Sequence, residues 1–179
     1  MRMKSALLGL LCLAAAGEAQ AQVQYDMSKA TCKDYELMSP EAKRDFGAWM
    51  SGWFNGKSGR TEVNQQVYEA NSASVRQWCA SNPTAQIMPM LEGAVRNAKP
   101  VQGGATSIDA AAITCGDFVG YIQDSQLLVS AWTAGYVAST KNVTKLDFKN
   151  FSRQEKAVLA SCKKNKKQKL LAVVEKSWK

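Results

Sequence analysis

Four of the five cysteines in this 179-residue chain are regularly spaced. Cys32 and Cys79 stand 47 positions apart, as do Cys115 and Cys162, and the second pair follows the first by 83 residues. Thiols can form disulfides, bind a metal or act as nucleophiles. The chain has no histidine and no C-x-x-C motif, so a zinc site is disfavoured and a Cys-His or Ser-His-Asp centre cannot be built. We therefore predict that these thiols form disulfides.

The 83-residue shift aligns more than the cysteines. It places Thr31 on Thr114 and Asp34 on Asp117 without a gap. The other identical pairs include Ala48/Ala131, Trp49/Trp132, Gly52/Gly135, Val75/Val158, Asn82/Asn165 and Glu92/Glu175. The sequence is thus a tandem duplication of one small unit.

The duplication also selects a disulfide pairing. Four cysteines allow three pairings. Because a unit that evolved alone must have closed on itself, the repeat favours Cys32–Cys79 and Cys115–Cys162. Each bond would close a loop of nearly fifty residues and stabilise the fold by roughly 4 kcal/mol in the chain-entropy model. That contribution is large for a unit whose core is small.

Residues 1–21 have the pattern of a signal peptide. Arg2 and Lys4 supply positive charge, residues 5–17 form an apolar stretch, and Ala19-Gln20-Ala21 is a small-x-small cleavage site. We predict a mature chain that starts at Gln22 and is exported. Export makes disulfides the default state of the remaining cysteines.

Each unit is predicted to be helical. Thr31-Cys32-Lys33-Asp34 has the spacing of a capping box and opens a short helix. Ser39-Pro40-Glu41 starts a longer helix, which we expect to end at Asn55-Gly56. A short segment around Val63, Val67 and Tyr68 follows it.

The third and fourth helices complete the unit. We expect the third to be capped by Asn71 or Ser72 and to stop at Asn82-Pro83, and the last to begin or kink at Pro89. The second unit repeats this plan with helices that open at Thr114, span Gln123 to Ser139, run from Ser152 or Arg153 to Cys162, and carry Leu170 to Trp178.

An apolar stripe marks the long helix of each unit. Phe46, Trp49, Met50, Trp53 and Phe54 recur at helical spacing. The shared Trp49-x-x-Gly52-Trp53 and Trp132-x-x-Gly135-Tyr136 predict a core where a small residue lets another helix approach. A second interpretation is that this surface forms a closed interface that a trigger exposes.

Positive charge is concentrated in the second half. The chain carries a net charge of +8, and without residues 1–21 the net charge is +7, of which residues 101–179 hold +6. Much of this excess lies in one run: Lys163, Lys164, Lys166, Lys167 and Lys169. In an exported protein we interpret the run as a solvated helix face, or as a contact with an anionic membrane surface, and not as a nucleic-acid site.

The other catalytic patterns are missing from the sequence as well. Nothing brings two carboxylates together in a glycosidase-like pattern, and no glycine-rich phosphate loop follows a strand. We therefore expect a protein that is not an enzyme and needs neither a metal nor an organic cofactor.

Two motifs suggest a family. Thr31-Cys32-Lys33-Asp34-Tyr35 with Cys79-Ala80-Ser81-Asn82-Pro83, and their counterparts Thr114 to Phe118 and Cys162 to Lys166, resemble the HdeA/HdeB acid-stress chaperones of the bacterial periplasm. The expected fold is all-α, with four to five helices in each disulfide-closed unit. The expected organisation is a signal peptide (1–21), unit 1 (22–98), a flexible linker (99–112) and unit 2 (113–179).

The resemblance implies an ATP-independent chaperone that is a dimer near neutral pH. In strong acid it would loosen and uncover apolar surface for unfolding periplasmic proteins. Here the two units could pair as a pseudo-dimer, or two chains could form a homodimer. The candidate client-binding residues are Trp49, Trp53, Phe54, Trp132 and Tyr136. The alternative is an exported, envelope-associated module that uses the lysine run for an anionic partner.

Overall fold

The computed structural model describes residues 24–97 and 107–178, and its elements follow the duplication. The predicted signal peptide and residues 99–106 of the predicted linker lie outside the described residues. The first unit contains β1 (Gln24–Asp26), a 3-10 turn (Met27–Lys29), α1 (Cys32–Glu36), α2 (Pro40–Lys57), β2 (Glu62–Asn64), α3 (Gln65–Ser81) and α4 (Ile87–Asn97). The second contains β3 (Ser107–Asp109), α5 (Cys115–Gly120), α6 (Gln123–Thr140), β4 (Lys145–Asp147), α7 (Phe148–Lys164) and α8 (Leu170–Ser177). The all-α class is confirmed, with four α-helices in each unit.

Both predicted capping boxes are present. The Asp34 amide donates to the Thr31 hydroxyl over 3.2 Å, and the Asp34 carboxylate accepts from the Thr31 amide over 2.9 Å. Thr114 and Asp117 repeat these two bonds with the same lengths. Ser39 caps α2 with Pro40 at its first position, as the sequence predicted.

Two helix boundaries in the first unit differ from prediction. The long helix α2 continues through Asn55-Gly56 to Lys57, and the chain reverses at Gly59, where φ is +65°. Helix α3 begins at Gln65, capped by Asn64, and not at Asn71 or Ser72. The Asn64 side chain accepts from the Val67 amide over 3.1 Å, so the predicted middle segment is the end of β2 and the start of α3.

The structure also defines the starts of two further helices. Helix α4 starts at Ile87, which places Pro89 in the first turn, where a missing backbone donor is not needed. Helix α7 starts at Phe148 and not at Ser152 or Arg153. The Asp147 carboxylate accepts from the Asn150 amide over 3.1 Å and so supplies the cap that sequence reasoning overlooked.

The short strands are exchanged between the units. Strand β1 pairs antiparallel with β4, and β2 pairs antiparallel with β3. Tyr25 stands opposite Leu146 in one ladder, and Val63 stands opposite Ile108 in the other. The two ladders have the same register after an 83-residue shift, so the first strand of each unit completes the other unit.

This exchange corrects part of the predicted linker. Residues 107–112 of that linker are structured, because Ser107–Asp109 form β3 and Ala110 is only 3% exposed in the core. The Ala110 amide donates to the Thr61 carbonyl over 2.9 Å, which fixes the start of the second unit on the first.

Each unit is closed by its own disulfide. Cys32 bonds to Cys79, which ties α1 to α3, and Cys115 bonds to Cys162, which ties α5 to α7. The two hydrophobic cores also share residues: Ala134 and Ala138 of α6 pack in the first core, and Ala48 of α2 packs in the second. Within the described residues, the helices are too short or too polar to cross a membrane.

Candidate functional site at the contact between the units

The two long helices, α2 and α6, form the main contact between the units. They cross where Gly52 meets Gly135. A β-carbon on Gly52 would overlap the Trp132 carbonyl oxygen and come 2.8 Å from its carbon, and one on Gly135 would overlap the Trp49 carbonyl oxygen and come 2.9 Å from its carbon. Only glycine allows backbones to approach this closely. Because the relationship is reciprocal, the contact has the form of a homodimer interface within one chain.

Four of the five predicted aromatic residues lie at this crossing. Trp49 is 1% exposed and Trp132 is 6% exposed, while Trp53 and Tyr136 are partly buried. The backbone nitrogens of Trp53 and Tyr136 lie 3.0 Å from the positions that β-carbons on Gly135 and Gly52 would occupy. Phe54, the fifth, packs in the first core, as Trp49 also does, but it is not among the residues that meet the two glycines.

The aromatic side chains are held by ring contacts and few hydrogen bonds. Trp132 stacks on Tyr136 with ring centroids 5.4 Å apart, and its Nε1 donates to the Ser51 hydroxyl over 3.2 Å. The buried Nε1 atoms of Trp49 and Trp53 have no acceptor among the described residues. Burial of these N–H groups without an acceptor costs free energy, and exposure of the indoles to water would remove that cost.

Polar groups join the units around the crossing. Lys57 donates to the Asn142 side chain over 2.8 Å, and its ammonium lies 5.0 Å from the Trp53 ring centroid. Arg44 stands 3.8 Å from Asp124, whose side chain is 80% exposed. Such exposed pairs contribute little to stability.

Two carboxylates clamp the exchanged strands. The Asp26 carboxylate accepts from the Ser28 hydroxyl over 2.7 Å and, across the units, from the Thr144 hydroxyl over 3.0 Å. These bonds, that of Ser28 foremost, lower the pKa of Asp26. In the other ladder, the hydrogen bond from Thr61 is the main cause of the lowered pKa of Asp109.

The capping carboxylates are similarly acidic. The Thr31 hydroxyl and then the Thr31 amide lower the pKa of Asp34, and Thr114 does the same for Asp117. All four of these aspartates favour the folded state only while they are ionised.

The pKa of Glu155 is shifted upward, in contrast to the lowered pKa values of these aspartates. It lies on α7 in a cleft of about 590 Å³ between the units, which is also lined by Asp45 and Asp34. Burial, followed by the charge of Asp45, raises the pKa of Glu155 to about 7. The 83-residue shift aligns Glu155 with Ser72 and Asp45 with Leu128. The equivalent site formed by Ser72 and Leu128 therefore has no carboxyl pair.

The lysine run is exposed. Lys163 and Lys164 occupy the last turn of α7, where their charge complements the helix dipole. Lys169 Nζ donates to the Ala112 carbonyl over 2.9 Å, and the Lys166 carbonyl accepts from the Gly116 amide over 2.8 Å. Part of the run therefore holds the loop before α8 against the start of α5.

Sequence reasoning missed the aspartate–threonine clamps. Their signal was present, because the 83-residue shift also places Asp26 on Asp109 and Thr61 on Thr144. The two threonines lie far along the chain from their aspartates, and only the strand exchange brings them together.

The sequence matches one protein family twice. The sequence profile described as the HdeA/HdeB family matches residues 4–89 and, a second time, residues 92–172. The two matches together cover most of the chain and confirm the duplication. No curated protein and no solved structure matches it.

Proposed function

The chain belongs to the HdeA/HdeB family, and from this premise we propose that it is a periplasmic chaperone that holds unfolding proteins in strong acid. The observation that supports this most directly is the reciprocal glycine crossing, which buries two tryptophans between the units. An apolar surface that is held in a polar-rimmed interface can be exposed without unfolding the whole chain.

The trigger we propose is protonation of the aspartates that hold the units together. Asp26 and Asp109 have lowered pKa values, so the stability they give is present above the ordinary aspartate pKa of 3.8 and is lost as the pH falls through their folded values. Full protonation also takes the side-chain charge of residues 22–179 from +7 to +21. The resulting repulsion opposes a compact arrangement.

The covalent link changes how the interface opens and closes. In a two-chain dimer, reassociation depends on concentration, whereas here each unit always has its partner at a high effective concentration. We propose that acid separates α2 from α6 within one molecule, and that neutralisation closes the interface at any dilution. The two disulfides then keep each unit's helices tethered.

The test is an aggregation assay on the oxidised mature chain. We expect it to suppress aggregation of an acid-sensitive client at pH 2–4 and not at pH 7, because carboxylates titrate in that range. Tryptophan emission should shift to the red over the same interval, since Trp49 and Trp132 become hydrated. A chain that opens but leaves the client to aggregate would contradict the chaperone function.

One observation favours a second function, the exposure of the whole lysine run. We propose as the alternative that this face binds an anionic envelope surface. Salt-sensitive retention on anionic vesicles at pH 7, together with no suppression of aggregation in acid, would support this alternative.

A further inference from the structure

A cavity of about 830 Å³ lies within the first unit, between α2, α3 and α4. Packed protein interiors contain few voids larger than a water molecule, whereas pockets for small ligands typically have volumes of roughly 300–1,000 Å³. Much of its wall is apolar, and the apolar lining includes Phe46, Met50, Phe54, Val75, Ile87 and Leu91. The volume and lining fit one hydrocarbon chain.

The mouth of the cavity carries an excess of positive charge. Four cations line it, against the two carboxylates of Glu62 and Glu69. Two of the cations have carboxylate partners: Lys43 pairs with Glu36 and Arg44 with Asp45.

The other two cations, Arg60 and Arg76, are available for a ligand. Arg60 donates to the Ser58 hydroxyl over 3.2 Å, and neither guanidinium forms an ion pair with a described residue. A guanidinium is well suited to bind a carboxylate or phosphate group.

The second unit provides an internal comparison. At the positions of Arg60 and Arg76 it carries Val143 and Leu159, and at the position of Ser72 it carries the carboxylate of Glu155. The helix above the cavity also differs, since Val75 on α3 is partly exposed whereas its counterpart Val158 on α7 is 2% exposed. The basic mouth is therefore particular to the first unit.

We propose that this cavity binds one single-chain amphiphile with an anionic head group, such as a fatty acid. The hydrocarbon chain would lie on the apolar wall, and the anionic head group would pair with one of the two guanidinium groups at the mouth, that of Arg60 or that of Arg76. The site lies on the opposite side of α2 from the glycine crossing and acts in the closed protein at neutral pH. It therefore stands independently of the chaperone function.

Calorimetric titration of the oxidised mature chain with decanoate at pH 7 tests the site. We expect saturable binding of one decanoate per chain. The double substitution Arg60→Val/Arg76→Leu installs the residues of the second unit, and we expect it to weaken decanoate binding roughly tenfold. It should leave decanol binding unchanged, because decanol has no charge.

A matched control removes the same charge elsewhere. Lys163→Val/Lys164→Leu eliminates two exposed cations that do not line the cavity, and decanoate binding should not change. Ser72→Glu places a carboxylate in the cavity wall and should weaken decanoate more than decanol. Near-UV circular dichroism verifies the fold of each variant.

Three results would overturn the proposal. The first is that decanoate shows no saturable binding, and the second is that the lysine control loses as much affinity as the arginine variant. The third is that a neutral apolar peptide binds in the cavity and decanoate does not bind at all. The last result would instead identify the cavity as a groove for polypeptide.

Discussion

Gly52 and Gly135 each lie against the carbonyl of the tryptophan three residues before the other. The two glycines are 83 positions apart, so one residue of the ancestral unit makes both halves of the contact. Such a reciprocal contact arises when identical subunits pair about a two-fold axis. The duplication has therefore placed a dimer-like interface within one chain.

Alanine at either glycine should separate the units. Its β-carbon would overlap a backbone carbonyl, which cannot move aside as a side chain can, so we expect Gly52→Ala to destabilise the closed arrangement by about 3 kcal/mol. Chemical denaturation measures the loss, and small-angle scattering at pH 7 should show a larger radius of gyration. Gly135→Ala should have the same effect.

Gly93 provides the control for this substitution. It lies in helix α4, and a β-carbon there would meet no atom within 4 Å. Gly93→Ala should therefore be neutral, or stabilising by about 0.5–1 kcal/mol. If Gly52→Ala proved equally harmless, the close crossing of α2 and α6 would be wrong.

Neutralising the strand clamps should move the onset of activity toward neutral pH. Asp26→Asn/Asp109→Asn removes charge from two carboxylates whose ionised forms accept hydrogen bonds across the units. At neutral pH the variant already lacks the contribution to stability that the wild type loses when Asp26 and Asp109 are protonated in acid. We expect client holding to begin roughly one pH unit higher, as measured by light scattering of an acid-sensitive client.

Asp124→Asn/Glu175→Gln removes the same number of charges and is the matched control for the clamps. The Asp124 side chain is 80% exposed and lies 3.8 Å from Arg44, and Glu175 lies on the exposed surface of α8, so the onset pH should stay at the wild-type value. Equal shifts in both variants would indicate a general effect of net charge and would exclude a specific role for the clamps.

The predictable part of the fold was local. Cap chemistry at Thr31, Ser39 and Thr114 lies within four residues of sequence, and the repeat itself fixed the disulfide pairing. The predicted starts of α3 and α7 were wrong because the residues that cap these helices, Asn64 and Asp147, are the last residues of strands. Strands of three residues are too short to show an alternating pattern of apolar and polar residues in the sequence.

The site could be predicted only in part for a related reason. The stripe with Trp49 and Trp132 indicated an interface, and Gly52 indicated a close approach. Tertiary pairing, however, decides which face of α2 meets α6, and Phe54 is not among the residues that meet the two glycines. The raised pKa of Glu155 likewise depends on Asp45, which lies in the other unit.

Glu155 should make the closed form more stable in mild acid than at pH 8. Its folded pKa of about 7 lies above the ordinary 4.5, so its contribution is fully present below pH 4.5 and is lost as the pH rises through 7. At pH 8, Glu155→Gln should increase the free energy of unfolding by about 1 kcal/mol after allowance for solvent screening, and the thermal midpoint should rise accordingly. At pH 4.5 the midpoint should be unchanged. Glu175→Gln, on the exposed surface of α8, should change neither value.

Removing the two disulfides should affect the units unequally. Both span 47 positions and should each contribute about 4 kcal/mol by chain entropy. Helix α3, however, buries only Cys79, whereas α7 buries Val158 as well as Cys162. Cys32→Ala/Cys79→Ala should therefore release α3 at pH 7, and hydrogen exchange should accelerate along residues 65–81. In Cys115→Ala/Cys162→Ala, α7 should remain more protected, and faster exchange there than in α3 would show that α7 is the weaker helix.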